Sequence, residues 1–186
     1  MNQQQLQSDL SYVRDVVQRS DRVKSPHSIY YFWAVVSLVG FAIVDYAPQQ
    51  AGLFWAIAGP GGWLLSALLG RAYARKTGAL NRRLGLRYGA HWAGLLGAIF
   101  LLMFGVAQGA WSVDSAAHLI LLVLALTYFL AGLHLDRALM WVSLILAGGY
   151  LALFYVTGPV WTITGIAVAI GLVLTPWLEG RDDARQ

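Results

Sequence analysis

Residues 88–135 read YGAHWAGLLGAIFLLMFGVAQGAWSVDSAAHLILLVLALTYFLAGLHL, with Asp114 as their single charged side chain. A helix crossing a ~30 Å hydrocarbon core needs about 20 apolar residues, so this stretch is long enough to go out and come back. Its turn falls at Trp111-Ser112-Val113-Asp114-Ser115. Working outward, residues 25–70 hold one charge, Asp45, and residues 138–178 hold none. All 13 Lys and Arg residues lie between these stretches or at the ends, at 14–24, 71–87, 137 and 181–185. Three out-and-back excursions put every one of them on a single face, as the positive-inside tendency requires. The sequence therefore predicts an all-α integral membrane protein of the cytoplasmic (inner) membrane. Its spans are expected near 28–46, 51–70, 89–110, 116–135, 138–156 and 159–178, with both termini cytoplasmic.

Composition agrees. At 58% hydrophobic and 12% charged over 186 residues, the chain is too apolar for a soluble domain of its size. The net charge of +4 is spent on topology, so no nucleic-acid partner is expected. The absence of cysteine excludes a disulfide, a thiolate nucleophile and a Cys-ligated metal. The first 24 residues are polar, which argues against a cleavable signal and for a first span that stays as an anchor. The expected organisation is a cytoplasmic amphipathic helix over 1–26, a membrane domain over 27–178 and a short tail over 179–186.

Short connections on the far side, 45–50, 111–115 and 157–159, leave no room for an external domain. Asp114 and Ser115 stand where a side-chain oxygen can cap the fourth span, and Pro159 suits the first position of the sixth. Trp33, Trp92, Trp111, Trp141, Trp161 and Trp177 lie near span ends, where an amphipathic ring settles at headgroup level.

The chain also repeats itself. Trp33-Ala-Val-Val-Ser-Leu-Val-Gly, Trp92-Ala-Gly-Leu-Leu-Gly-Ala-Ile and Trp141-Val-Ser-Leu-Ile-Leu-Ala-Gly align the odd spans, and Trp55-Ala-Ile-Ala-Gly59 matches Trp161-Thr-Ile-Thr-Gly165 in the even ones. A helical hairpin present three times in parallel orientation accounts for this.

Candidate sites are few. Gly59-Pro60-Gly61-Gly62 interrupts the second span, since Pro60 cannot donate to the carbonyl of Ala56 and predicts a kink or an opened turn. One use of such a break is a gate or backbone ligand site; the other is a bare surface against which a neighbouring Trp or Phe packs. Gly105 and Gly109 have the spacing of a helix-dimerisation pair, compatible with a homo-oligomer. His27, His91, His134 and Asp136 share the cytoplasmic level and include the residue types of a transition-metal or haem site, but in no metal-motif spacing. Neither a metal nor a cofactor is therefore expected, and His118 stands alone at the opposite face. Catalysis has little to draw on beyond His134, Asp136 and Arg137, with Tyr88 and His91 at the same depth, so no enzyme is expected. No span centre carries an ionisable group, and the hydroxyls of Ser37, Ser66, Thr127, Tyr128, Ser143, Tyr150, Thr162 and Thr164 serve either ligand contact or helix bonding.

Outside the bilayer, Leu6, Leu10, Val13 and Val17 form one apolar stripe on a predicted helix over 3–24. Such a helix docks on lipid, on the protein's own loops or on a partner protein. Arg71, Arg75, Lys76, Arg82, Arg83 and Arg87 form a basic loop without acidic residues, suited to anionic headgroups at about 1 kcal/mol per cation.

Six spans in three hairpins, with phrases such as Trp92-Ala-Gly-Leu-Leu-Gly-Ala-Ile-Phe-Leu-Leu-Met-Phe-Gly, resemble the HdeD-like bacterial membrane proteins, a family associated with acid resistance. The resemblance implies a small non-enzymatic membrane protein and carries no functional residue across. The N-terminal extension, the basic central loop and the GPGG depart from it. The function expected is a regulatory, scaffolding or sensory subunit acting through the N-terminal helix. The alternative is a small permease or channel for a neutral or weakly polar solute.

Overall fold

The computed structural model describes residues 26–77 and 82–183, with Gln5 apart from them; at 77, 82–84 and 178–183 it describes backbone alone. The stripe of Leu6, Leu10, Val13 and Val17 lies outside the described residues. Among the described residues there are six helices and no strand: α1 His27–Tyr46, α2 Pro48–Thr77, α3 Arg82–Ala107, α4 Val113–His134, α5 Leu139–Tyr155 and α6 Val160–Asp183. Five are long and apolar enough to cross a membrane. The exception is α5, whose 17 residues reach about 25 Å at ~1.5 Å per residue.

The helix ends show why the chain turns where it does. Only Ala47 separates α1 from α2, its N–H bonding the Ile43 carbonyl at 2.8 Å, and Pro48 takes the first position of α2, where a missing N–H costs nothing. At the end of α3, Ala110 N–H bonds the Gly105 carbonyl (2.9 Å) and Gly109 N–H bonds that of Val106 (3.0 Å), with Gly109 at φ +73°. This is a Schellman cap, which needs a left-handed residue at that point. The ring of Trp111 then lies directly over Gly105. Of the two glycines with GxxxG spacing, Gly105 is thus covered within the chain and Gly109 serves as the helix cap.

Three expectations change in detail. The α4 cap is Ser112, whose hydroxyl accepts from Ser115 N–H at 3.0 Å, rather than Asp114 or Ser115. A cap two residues earlier lets Asp114 enter the first turn, where a carboxylate meets the positive helix end. Pro159 precedes α6 instead of opening it, and its carbonyl accepts from Ile163 N–H (3.0 Å). The basic segment 71–87 is mostly helical: α2 continues to Thr77 and α3 begins at Arg82. Ala72, Arg75 and Lys76 favour helix, and the two cations complement the C-terminal dipole.

Neighbouring helices run antiparallel and each contacts the next, α6 closing back on α1 to make a ring. The α1–α6 and α4–α5 pairs are the most extensive, and the three hairpins α1–α2, α3–α4 and α5–α6 resemble one another in extent. The α2–α3 contact is slight. The core is built by Tyr30, Ala34 and Phe41 of α1, Leu121 and Ala125 of α4, Val142 and Leu146 of α5, and Val168 and Leu172 of α6.

Small residues set these approaches. A Cβ on Gly132 of α4 would stand 2.9 Å from the Met140 backbone nitrogen, and one on Gly165 of α6 would stand 2.7 Å from Phe41 and 3.2 Å from the Ser37 carbonyl. Between apolar helices in lipid there is no hydrophobic driving force, so close backbone contact of this kind is a main source of adhesion.

Candidate functional site

Polar chemistry gathers at the two ends of the bundle. At the end shared by the basic residues, the Tyr30 hydroxyl donates to Asp136 Oδ2 at 2.5 Å. The other oxygen of Asp136 accepts from Ala138 N–H at 3.0 Å, holding the α4–α5 turn. One carboxylate therefore braces the α4–α5 turn and ties it to α1. Beside it, Tyr88 O–H reaches the Leu135 carbonyl (3.4 Å), and His91 Nε2 lies 3.1 Å from the Thr127 carbonyl. A carbonyl only accepts, so Nε2 of His91 carries the proton. By the same argument Nδ1 of His134 donates to the Leu130 carbonyl, at 3.0 Å.

The candidate metal ligands are thus distributed over helix and turn bonds. His27 is an exposed residue at the start of α1, His91 and His134 each spend one nitrogen on a backbone carbonyl, and Asp136 is engaged through both oxygens. Among the described residues no group of three or more His, Asp or Glu is placed to hold a metal ion.

At the opposite end Asp45 plays the matching part. Its Oδ2 accepts from both the backbone N–H and the hydroxyl of Thr162, each at 2.7 Å, so α1 supplies the acceptor that the first turn of α6 needs. Next to it runs a chain of ring contacts: Trp55 to Phe41 (5.9 Å between centroids), Phe41 to Trp161 (5.8 Å), Trp161 to His118 (6.3 Å), His118 to Phe154 (5.8 Å) and Phe154 to Tyr150 (5.2 Å). It joins every helix except α3. His118 is anchored in it by a 2.8 Å contact to the Asp114 carbonyl.

The GPGG segment lies within α2, which stays helical through Pro60; the expected opened turn is not formed. Its three glycines face different surroundings. A Cβ at Gly62 would fall 2.9 Å from the Trp33 ring and 3.0 Å from Phe32; at Gly59 it would lie 3.7 Å from Leu96; at Gly61 it would meet nothing. In return Gly40 of α1 receives the ring of Trp55, and Trp33 Nε1–H donates to Ser66 Oγ at 3.0 Å. Tryptophan into glycine, twice over, is the lock between α1 and α2.

No family model, curated protein or solved structure matches this chain. Its own geometry is the guide to its function.

Of the cations expected at anionic headgroups, Arg71, Arg75, Lys76 and Arg87 are exposed on the ends of α2 and α3, and Arg82 and Arg83 lie in the first turn of α3. Trp33 and Trp92 turn inward, Trp92 packing on Tyr128 at 5.2 Å, whereas Trp141 and Trp177 stay exposed. The two carboxylate clasps and the aromatic chain escaped sequence reading. A signal for one existed, since a lone Asp45 in an apolar stretch needs a partner; nothing local named Thr162.

Proposed function

We propose that the chain is a six-span protein of the cytoplasmic membrane, with both termini on the basic side, that works as a regulatory, scaffolding or sensory subunit rather than an enzyme. The observation that carries this reading is where its polar groups go. Thr127 bonds the Val123 carbonyl (2.8 Å), Thr164 that of Val160 (2.8 Å) and Thr175 that of Gly171 (3.0 Å), Ser66 accepts from Trp33, and Asp45 and Asp136 clasp helices together. The three threonines are spent within their own helices, the serine and the two aspartates join helices, and such use leaves few side chains to bind or convert a substrate. In this reading α5 spans with the help of the turn before it, and the N-terminal stripe of Leu6, Leu10, Val13 and Val17 meets a protein partner at the membrane surface. Anionic lipid at the same face holds the basic ends of α2 and α3.

Three features support the triple hairpin: the aligned Trp33, Trp92 and Trp141, the similar extent of the three hairpin contacts, and a ring closed by joints between successive hairpins. Kinship with the HdeD-like family is proposed on this architecture alone. The test is affinity purification from native membranes in mild detergent, comparing the full chain with one lacking residues 2–24. A protein retained by the full chain alone is the expected result; equal retention of nothing by either chain counts against the regulatory reading.

A second reading, permeation of a neutral or weakly polar solute, draws on the slight α2–α3 contact beside Gly59 and Pro60. Flux into proteoliposomes that survives loss of residues 2–24 and falls on Gly59→Leu would favour it over the first.

A further inference from the structure

The ring has three joints between successive hairpins, α2–α3, α4–α5 and α6–α1, and two of them are tight. The third has the parts of a tight joint without the fit. Aligning Trp161 with Trp55 sets Gly165 against Gly59 and Thr162 against Ala56; aligning Trp33 with Trp92 sets Ser37 against Leu96, Phe41 against Phe100 and Asp45 against Phe104. In α6–α1, Gly165 receives Phe41 and the Ser37 carbonyl. In α2–α3, Gly59 touches Leu96, the counterpart of Ser37, so both joints share one register. What differs is the aromatic: Phe41 is 4% exposed, whereas Phe100 is 69% exposed.

We infer that α2–α3 is a closable joint, and that Phe100 seating on Gly59 is its latch. Closure would repeat at the α2–α3 joint the contact already present at the α6–α1 joint, with Gly59 supplying the bare backbone that Gly165 supplies there. Two features make this the movable joint. It lacks a clasp, because Ala56 and Phe104 stand where Thr162 and Asp45 bond. Pro60 adjoins the latch glycine, and a proline within a helix leaves the carbonyl four residues earlier without its usual donor, which is a common origin of bending. The covering surface for the exposed face of α3 is thus the facing helix of the same chain. The inference is independent of whether the protein regulates or transports.

Because the chain contains no cysteine, a designed pair reports the joint without background. Ala56→Cys with Phe104→Cys replaces the counterparts of the Thr162–Asp45 clasp, and oxidation in native membranes traps the closed joint as a disulfide. The expected result is efficient cross-linking that slows by about tenfold when Phe100→Ala or Gly59→Leu is added, the loss of one aromatic-on-glycine contact. Leu101→Ala, at an exposed neighbouring position, should leave the rate unchanged. Phe100 is exposed, so its replacement spares folding, and electrophoretic mobility of the unoxidised variants verifies this. Absence of a cross-link overturns the inference, and so does a cross-link whose rate ignores both Phe100 and Gly59.

Discussion

Helices α1, α4 and α6 and helices α2 and α3 are alike in apolar character and unlike in packing. Their most apolar windows have mean hydropathies of 1.7, 2.2 and 1.7 against 1.4 and 1.8, yet 28%, 28% and 39% of the first group is buried against 6% and 0% of the second. Hydropathy decides that a segment enters lipid. It does not decide which neighbour the segment holds, because acyl chains solvate leucine as well as another helix does. Adhesion comes from glycine seats and from polar groups that bond across helices, and these are concentrated on the first group.

The harshest way to break the contrast is to add one large side chain to each group. Gly132→Leu drives bulk into the Met140 backbone, which cannot yield as a side-chain tip would, and should cost about 3 kcal/mol or prevent folding. Gly97→Leu on α3 meets nothing and should fold as the parent does. Monodispersity on size exclusion after stepwise heating in detergent separates the two outcomes.

Removing a clasp comes next. Asp45→Ala strands both donors of Thr162 and should cost about 2 kcal/mol, seen as a lower midpoint in the same heating series. Pairing it with Thr162→Val sharpens the point: if the clasp is the cause, the double variant loses less than the two single losses added together. Tyr30→Phe removes the hydroxyl on Asp136 and should lower the midpoint by the equivalent of about 1.5 kcal/mol. The smallest effect is expected at Gly61, where Ala meets open space. Gly61→Ala should be neutral or should stabilise by up to ~1 kcal/mol through helix propensity.

How much of this was legible in the sequence depends on distance along the chain. The helices were readable because nearly charge-free stretches of twice a span's length admit few alternatives, and the turns, at Ala47, 108–112, 135–138 and 156–159, fall within a few residues of where charge and proline suggested. Gly105 and Gly109 show that spacing alone does not tell a helix interior from its end, since Gly109 proves to be the cap. The segment 71–87 read as a loop because its charge ends an apolar stretch, and the end of an apolar stretch is not the end of a helix. The candidate sites were least legible. Asp45 bonds a residue 117 positions away and Tyr30 one 106 positions away, and no periodicity encodes such pairs.

The length of α2 has a mechanical side. From Pro60 to Arg75 the helix runs unbroken for about 22 Å at ~1.5 Å per residue, and it ends in the cations Arg75 and Lys76. A tilt of only ~10° about the proline would sweep those charges sideways by about 4 Å, roughly the rise of two to three helical residues. In the proposed membrane placement the helix would be a lever with its fulcrum inside the bilayer and its handle among the headgroups, so pulling on the basic end and shifting the proposed joint at Gly59 would be the same movement seen from opposite ends.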